Sequence, residues 1–271
     1  MTHVQTGTIL DEILGRTVAD LPQRKSSVPV SDLEVAARSR PAPLSLRAAL
    51  AGQEMSIIAE IKRASPSRGT FPVTVEPATL AADYITGGAA AISVLTNGPF
   101  FQGSLDDLDT TASVARSRPR PVPVLRKDFV VDPYQIVEAR AYGADAVLLI
   151  VAALDDELLT ELLAAAAASG MDALVEVHDE REMERAVTVG AKLVGINNRD
   201  LKSFWVDLSV SERLAPLAPE GSVVVAESGI FGPEEVKRLH DAGAEAVLVG
   251  ESLVTSPDRV AAVKALLQWQ N

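Results

Sequence analysis

From residue 56 onward, short β-branched apolar runs alternate with stretches whose apolar residues recur at helical spacing. The runs predict strands at 56–62, 90–95, 122–127, 145–151, 172–177, 193–197, 223–228 and 246–250. Helices are predicted near 76–87, 104–116, 133–142, 155–168, 179–189, 209–215 and 232–242, with a last one near 257–269. Gly143, Gly170, Gly190 and Gly243 fall where helices should stop. Asp132-Pro133, Gly232-Pro233 and Ser256-Pro257 look like helix starts with proline at the first helical position. Eight strands, each followed by a helix, are the count for a closed (β/α)8 TIM barrel of the α/β class. A doubly wound open sheet is the alternative, but it should carry a glycine-rich turn after its first strand, and none is present. The short echoes Tyr142-Gly-Ala-Asp-Ala-Val, Val189-Gly-Ala-Lys-Leu-Val and Ala242-Gly-Ala-Glu-Ala-Val suit repeated βα units.

Residues 1–50 stand outside this alternation. Ile9, Leu10, Ile13, Leu14, Val18 and Leu21 recur at helical spacing, and Pro22, Pro29, Pro41 and Pro43 then punctuate the segment. The expected organisation is an N-terminal helical extension over 1–50, packed on a single catalytic barrel over 51–271. The alternative for the extension is a mobile tail.

Composition narrows the function classes. Nearly half of the 271 residues are apolar, enough for a sizeable core. The formal charge of −12 argues against a nucleic-acid surface or an anionic membrane, but not against a small anionic substrate. Absence of cysteine excludes disulfides, cysteine metal sites and a thiol nucleophile. Asp11 and Glu12 interrupt the only greasy stretch near the amino terminus, so no signal peptide is expected. Apolar runs such as Leu162 to Ala168 are too short to span a bilayer. A cytoplasmic protein is expected.

Charged and polar residues interrupt the apolar runs at their carboxyl ends. Strand side chains alternate faces, so Ile58, Glu60 and Lys62 share one face while Ile57, Ala59 and Ile61 share the other. The all-apolar face should meet the helices, leaving Glu60 and Lys62 pointing into the barrel near its mouth. The same parity pairs Leu125 with Lys127, Leu174 with Glu176, Gly195 with Asn197, and Ala226 with Ser228. An unpaired buried charge costs several kcal/mol, roughly 3–5 when one partner of a buried pair is lost. A mixed lysine–glutamate cluster at one rim is therefore self-consistent. The plain alternative is a structural ion-pair network, or lysines that snorkel to solvent. Separately, Glu227-Ser228-Gly229 follows the seventh strand and Gly250-Glu251-Ser252 the eighth. Barrels commonly seat a phosphate there on backbone N–H groups, and Ser252 and Ser65 offer hydroxyl donors.

These residues resemble a known family. The stretch Ile58-Ala-Glu60-Ile-Lys62-Arg-Ala-Ser65-Pro66-Ser67 is similar to the signature of indole-3-glycerol phosphate synthases. The similarity continues through Phe101-Gln-Gly-Ser104, Arg126-Lys127-Asp128-Phe129, Leu148-Leu-Ile, Glu176-Val, Gly195-Ile-Asn197-Asn-Arg199-Asp200-Leu201, Ala226-Glu-Ser228-Gly229-Ile230 and Gly250-Glu-Ser252-Leu253. It implies a lyase of tryptophan biosynthesis that closes the pyrrole ring of 1-(2-carboxyphenylamino)-1-deoxyribulose 5-phosphate, releasing carbon dioxide and water, without cofactor or metal. On the resemblance, Gly229, Gly250, Ser252 and Ser65 hold the phosphate. Phe101, Phe129, Leu148, Leu201 and Ile230 wall the aromatic ring, and Lys62 meets the carboxylate. Lys127 is the acid for ring closure, Lys62 or Lys127 protonates the departing hydroxyl, and Glu176 is the base. Glu60 orients the lysines or shares the proton traffic, Asn197 holds a substrate hydroxyl or a glutamate, and Ser228 joins this catalytic group. Arg199 orients acidic groups, Glu176 among them. Other tryptophan-pathway enzymes are the implied protein partners.

Rival readings remain. A Schiff-base aldolase also uses a barrel, a strand-end lysine and a phosphate seat. A related isomerase family relies on a cysteine base, which this chain lacks. A phosphate-binding barrel without catalysis leaves the mixed cluster unexplained. His3, His178 and His240 are scattered, and none is expected at a strand end beside two carboxylates. His178 reads as a surface or capping residue, and Trp205 and Trp269 as packing residues.

Overall fold

A computed structural model describes residues 4–52 and 54–268. The predicted end of the last helix at 269, together with His3 and Trp269, lies outside the described residues. Eight strands form the sheet: β1 (Ser56–Ile61), β2 (Ala91–Leu95), β3 (Val124–Lys127), β4 (Ala146–Ile150), β5 (Asp172–Val177), β6 (Leu193–Asn197), β7 (Val223–Glu227) and β8 (Ala246–Val249). All pair in parallel with their sequence neighbours, and β1 also pairs with β8, closing a (β/α)8 TIM barrel. That closing pair excludes the open sheet. The strands are buried nearly throughout, as expected of parallel strands covered on both faces.

The intervening helices start and stop where local chemistry dictates. Asp132, Asp155 and Asp179 accept hydrogen bonds from backbone N–H groups of the first turns they precede. Gly143, Gly170, Gly190 and Gly243 end helices at φ of +88°, +71°, +69° and +101°, where an L side chain is strained. The Ser256-Pro257 start is corrected. The last helix begins at Arg259, because Asp258 caps Ala261 N at 2.9 Å while Ser256 Oγ turns to Asp258 O. The loops after β1 and β8 carry a hairpin (Ala64–Ser65 with Gly69–Thr70) and a one-turn helix (Glu251–Val254).

Three helices precede β1: α1 (Ile9–Ser27), α2 (Val30–Ser39) and α3 (Leu46–Leu50). Leu10, Ile13, Leu14 and Leu21 bury the inner stripe of α1, whereas Val18, read as part of that stripe, is exposed. Pro22 lies inside α1 rather than ending it. The carbonyl that loses its partner belongs to the exposed Val18, and Tyr134 Oη donates to Arg24 O and Val28 O at the helix end. From α2, which packs on the helix Pro133–Ala141, the chain passes beneath the barrel. There Leu44 N donates to Asp145 and Arg47 N to Asp172, both at 2.9 Å, at the amino ends of β4 and β5. Among the described residues no helix is long and apolar enough to cross a membrane.

A buried charge network fastens α1 to the strand that carries Lys127. Arg126, 1 % exposed, pairs with Asp128 and with Glu138, each at 2.9 Å, and donates to Thr96 Oγ1 and Gln135 O. Glu138 in turn pairs with Arg24 of α1. Arg126→Met should leave two buried carboxylates short of a partner and cost about 3–5 kcal/mol of stability. Urea unfolding measures it, and a loss below about 1 kcal/mol would contradict this account of the network.

Candidate active site

Because every strand points the same way, all carboxyl ends meet at one rim, and a cavity opens there. Ile9, Leu10 and Ile13 of α1 supply part of its wall. Phe101 and Phe129 supply another part, their ring centroids 6.0 Å apart and tilted by 36°. At its floor Lys127 Nζ lies 3.1 Å from Glu176 Oε2 and 3.1 Å from Glu227 Oε2. Lys62 Nζ lies 2.8 Å from Glu60 Oε1. Asn197 Nδ2 donates to Glu176 Oε1 at 3.1 Å, while its Oδ1 accepts from Ser228 Oγ at 2.9 Å and from Arg199 N at 3.1 Å.

Barrel register explains this convergence. Glu176 is level with Gly195, and Asn197 with Glu227. Gly195 leaves the space that the Glu227 carboxylate fills, since a Cβ there would overlap Glu227 Oε1. Gly250 plays the same part for Glu60 and Lys62. Just past β7, Ser228 and Gly229 both adopt positive φ, +69° and +82°. That turn swings Ser228 toward the same cavity that Glu227 already faces.

Burial alone would push the Lys127 ammonium down. Glu176, Glu227 and Glu60 outweigh it and hold the lysine above its ordinary range. Glu176 and Glu227 share that lysine but move in opposite directions. Burial raises Glu176, yet the charge of Lys127, the neighbouring His178 ring and the Asn197 donor bring it below the usual carboxylate range. Burial dominates at Glu227, only partly offset by Lys127 and reinforced by Glu176, and pushes it up to about 8. Glu227 Oε1 is buried without a hydrogen-bond donor, which leaves that carboxyl the natural holder of a proton at neutral pH.

Glu60, Lys62, Ser65, Phe101, Lys127, Phe129, Leu148, Glu176, Asn197, Arg199, Leu201, Ser228, Gly229, Ile230 and Gly250 all line the cavity. Ser252 does not. Its hydroxyl donates to Ile230 O at 3.1 Å, and its neighbour Glu251 lines the rim, paired with Arg68 at 3.2 Å. Arg199 is not the orienting partner of Glu176. Its Nη1 donates to Phe204 O at 3.0 Å, and the charges that act on it are those of Glu251 and Arg68.

Two residues were missed. Glu227 belongs to the inward set of β7, which the parity had assigned to Ala226 and Ser228; counting Val223, Val225, Glu227 finds it. His178 is no surface residue. Its Nε2 lies 3.3 Å from Glu176 Oε1 and its Nδ1 2.9 Å from Glu182 Oε2, so a histidine does sit at a strand end beside two carboxylates. Trp205, read as a packing residue, is 73 % exposed. Among the described residues no group of three or more histidine, cysteine, aspartate or glutamate side chains is disposed to hold a metal ion.

A closed parallel barrel with lysines, carboxylates and apolar walls gathered at its carboxyl rim defines an enzyme of general acid–base chemistry. The sequence profile of the indole-3-glycerol phosphate synthase family matches residues 10–266. The chain is 49 % identical to an indole-3-glycerol phosphate synthase of Mycobacteroides abscessus over 97 % of its own length and 95 % of that protein. It is 49 % identical to one of a Roseiflexus species, covering 96 % of this chain and 98 % of that one. It is 50 % identical to one of Mycobacterium tuberculosis, covering 96 % and 94 %. Solved structures share the fold alone. A thiamine phosphate pyrophosphorylase from Pyrococcus furiosus matches with a TM-score of 0.59 at 17 % identity, over 80 % of this chain and 95 % of that one. A 3-hexulose-6-phosphate synthase matches with 0.59 at 19 %, over 79 % and 99 %. The chain belongs to the indole-3-glycerol phosphate synthase family, carboxy-lyases of tryptophan biosynthesis.

Gly195→Ala should displace the Glu227 carboxylate without dismantling the barrel, because the clashing atom ends a side chain. Turnover should fall by about tenfold or more with the circular-dichroism spectrum retained. Unchanged turnover would show that the position of Glu227 is unimportant.

Proposed function

We propose that this rim performs the family's ring closure on 1-(2-carboxyphenylamino)-1-deoxyribulose 5-phosphate, with Lys127 as the acid and Glu176 as the base. The observation that carries the reading is the placement of one ammonium 3.1 Å from two buried carboxylates of opposite proton affinity. Backbone N–H groups around Gly229 and Gly250, with the Ser65 hydroxyl, receive the phosphate. Ser252 contributes by holding the Ile230 carbonyl, which fixes the loop beside Gly229. The substrate's aromatic ring lies among Phe101, Phe129, Leu148, Leu201 and Ile230, and its carboxylate meets Lys62. Glu60 orients Lys62, Asn197 and Ser228 orient Glu176, and Arg199 lies at the rim.

A lysine raised above its ordinary range is a reluctant acid, and its neighbours supply the remedy. As the ring carbon attacks the ketone, Lys127 passes a proton to the ketone oxygen, and the neutral carboxyl of Glu227 restores it. Carbon dioxide then leaves from the ring carbon. Re-protonated, Lys127 is the acid for the departing hydroxyl, which leaves as water. While Lys127 is neutral, Glu176 loses its largest opposing charge, so its affinity for a proton rises when it must take one from carbon. The low resting proton affinity of Glu176 thus keeps it ionised without making it useless as a base.

A cytoplasmic location, a role apart from nucleic acids and membranes, and contact with other enzymes of the pathway belong to this reading. They are supported by the acidic charge and the place of the reaction in biosynthesis.

The test is direct: supply the carboxyphenylamino-deoxyribulose phosphate without added metal or cofactor and follow indole fluorescence. Lys127→Ala should lower turnover by about 10²–10⁴-fold with little change in affinity for the phosphate end. Near-normal turnover in that variant would remove Lys127 as the acid.

A further inference from the structure

We propose that His178 is a positioning residue for Glu176: an imidazolium, braced from behind by Glu182, that keeps the Glu176 carboxylate ionised and turned toward Lys127. This rests on the reading of Glu176 as the base and deepens it. Both ring nitrogens face carboxylate oxygens, Nε2 at 3.3 Å from Glu176 and Nδ1 at 2.9 Å from Glu182. Only Nδ1 makes a hydrogen bond, to Glu182; Nε2 meets Glu176 as a 3.3 Å charge contact, and a neutral imidazole that keeps its proton on Nδ1 would set the Nε2 lone pair against the carboxylate, whereas the cation is attracted to both. The His178 side chain is 13 % exposed, so water does little to screen the arrangement. Glu182 is itself fixed, because the same Oε2 also accepts the His178 backbone N–H at 2.8 Å.

Glu182 stands in the first turn of the helix Glu180–Thr188, whose cap Asp179 follows His178 directly. The strand end and the helix start are therefore locked around one imidazole. Burial disfavours the cation, but Glu176 and Glu182 outweigh it and push His178 up to about 10. The groups facing the pair are few. Lys127 and the Asn197 amide meet Glu176, Glu227 shares Lys127, and Glu60 acts on both from β1. Asp200, beyond β6, feels the His178 charge.

The sign of the effect follows. Removing a cation beside Glu176 makes its carboxylate easier to protonate, so activity is lost at a higher pH on the acid side. In His178→Gln the acid limb of kcat/KM against pH should move upward and kcat fall by about ten- to hundredfold, with KM little changed. Glu182→Gln, which keeps the histidine but loosens its brace, should move the limb the same way by less. Because the chain has three histidines, the imidazole resonances of His178 can be assigned by their loss in His178→Gln. They should remain those of the cation from pH 6 to pH 8, and become titratable in that interval in Glu176→Gln. An acid limb unmoved in both variants overturns the proposal. So does a wild-type imidazole titrating near its ordinary value of about 6.5. Should Glu176→Gln retain turnover, the base assignment fails separately, while the imidazole resonances still report whether the pair exists.

Discussion

The constraint on which this site depends is that charge taken out of water must find opposite charge. Glu60, Glu176 and Glu227 are each no more than 4 % exposed. Two lysines answer them, Lys62 and Lys127. No single βα unit can satisfy that balance, since Glu60, Lys127, Glu176 and Glu227 come from β1, β3, β5 and β7. Closure of the sheet, sealed by the β1–β8 pair, is what brings them to one rim. Fold and cluster are thus conditions for each other: the barrel assembles the charges, and the charges can be buried only once it is assembled.

Within the cluster, chemistry arises from unequal surroundings. Glu176 and Glu227 lie at the same distance from Lys127. Glu176 also accepts from Asn197 and has the His178 ring 3.3 Å away, while the second oxygen of Glu227 has no donor. Two carboxyls of one residue type are thereby given opposite proton affinities, set by surroundings rather than by identity. The excess negative charge over the two lysines is relieved by a proton on Glu227, so electrostatic balance and catalytic readiness coincide.

Much of this could be read from the chain, and the failures have physical causes. Every barrel strand lies within two residues of its predicted range, because parallel strands buried on both faces spell continuous apolar runs. Alternation correctly sent Glu60, Lys127, Glu176 and Asn197 inward. It failed at β7, where Ser228 adopts positive φ and faces the cavity out of step with the strand, masking Glu227. His178 was invisible for another reason: its importance lies in Glu176 and Glu182 flanking it in space, and a sequence shows spacing, not facing. Ser252 had the right type and position, but the Ile230 carbonyl had first use of its hydroxyl.

The segment before β1 raises the last question, why an enzyme whose cluster sits in a complete barrel carries three more helices. The apolar residues Ile9, Leu10 and Ile13 form wall where the mouth would otherwise open to solvent, and water at the mouth would weaken every interaction in the cluster. A wall of that kind must be held in place, and the far end of α1 is held by Arg24 on Glu138 and Lys25 on Asp132. Glu138 is also a partner of Arg126, the residue before Lys127. Arg126 and Lys127, adjacent on β3, point to opposite sides of the sheet, one into the network that anchors α1 and the other into the cavity that α1 covers. The strand that presents Lys127 therefore also anchors the helix that dries its surroundings, which ties the position of the wall to the position of that lysine through a single run of backbone.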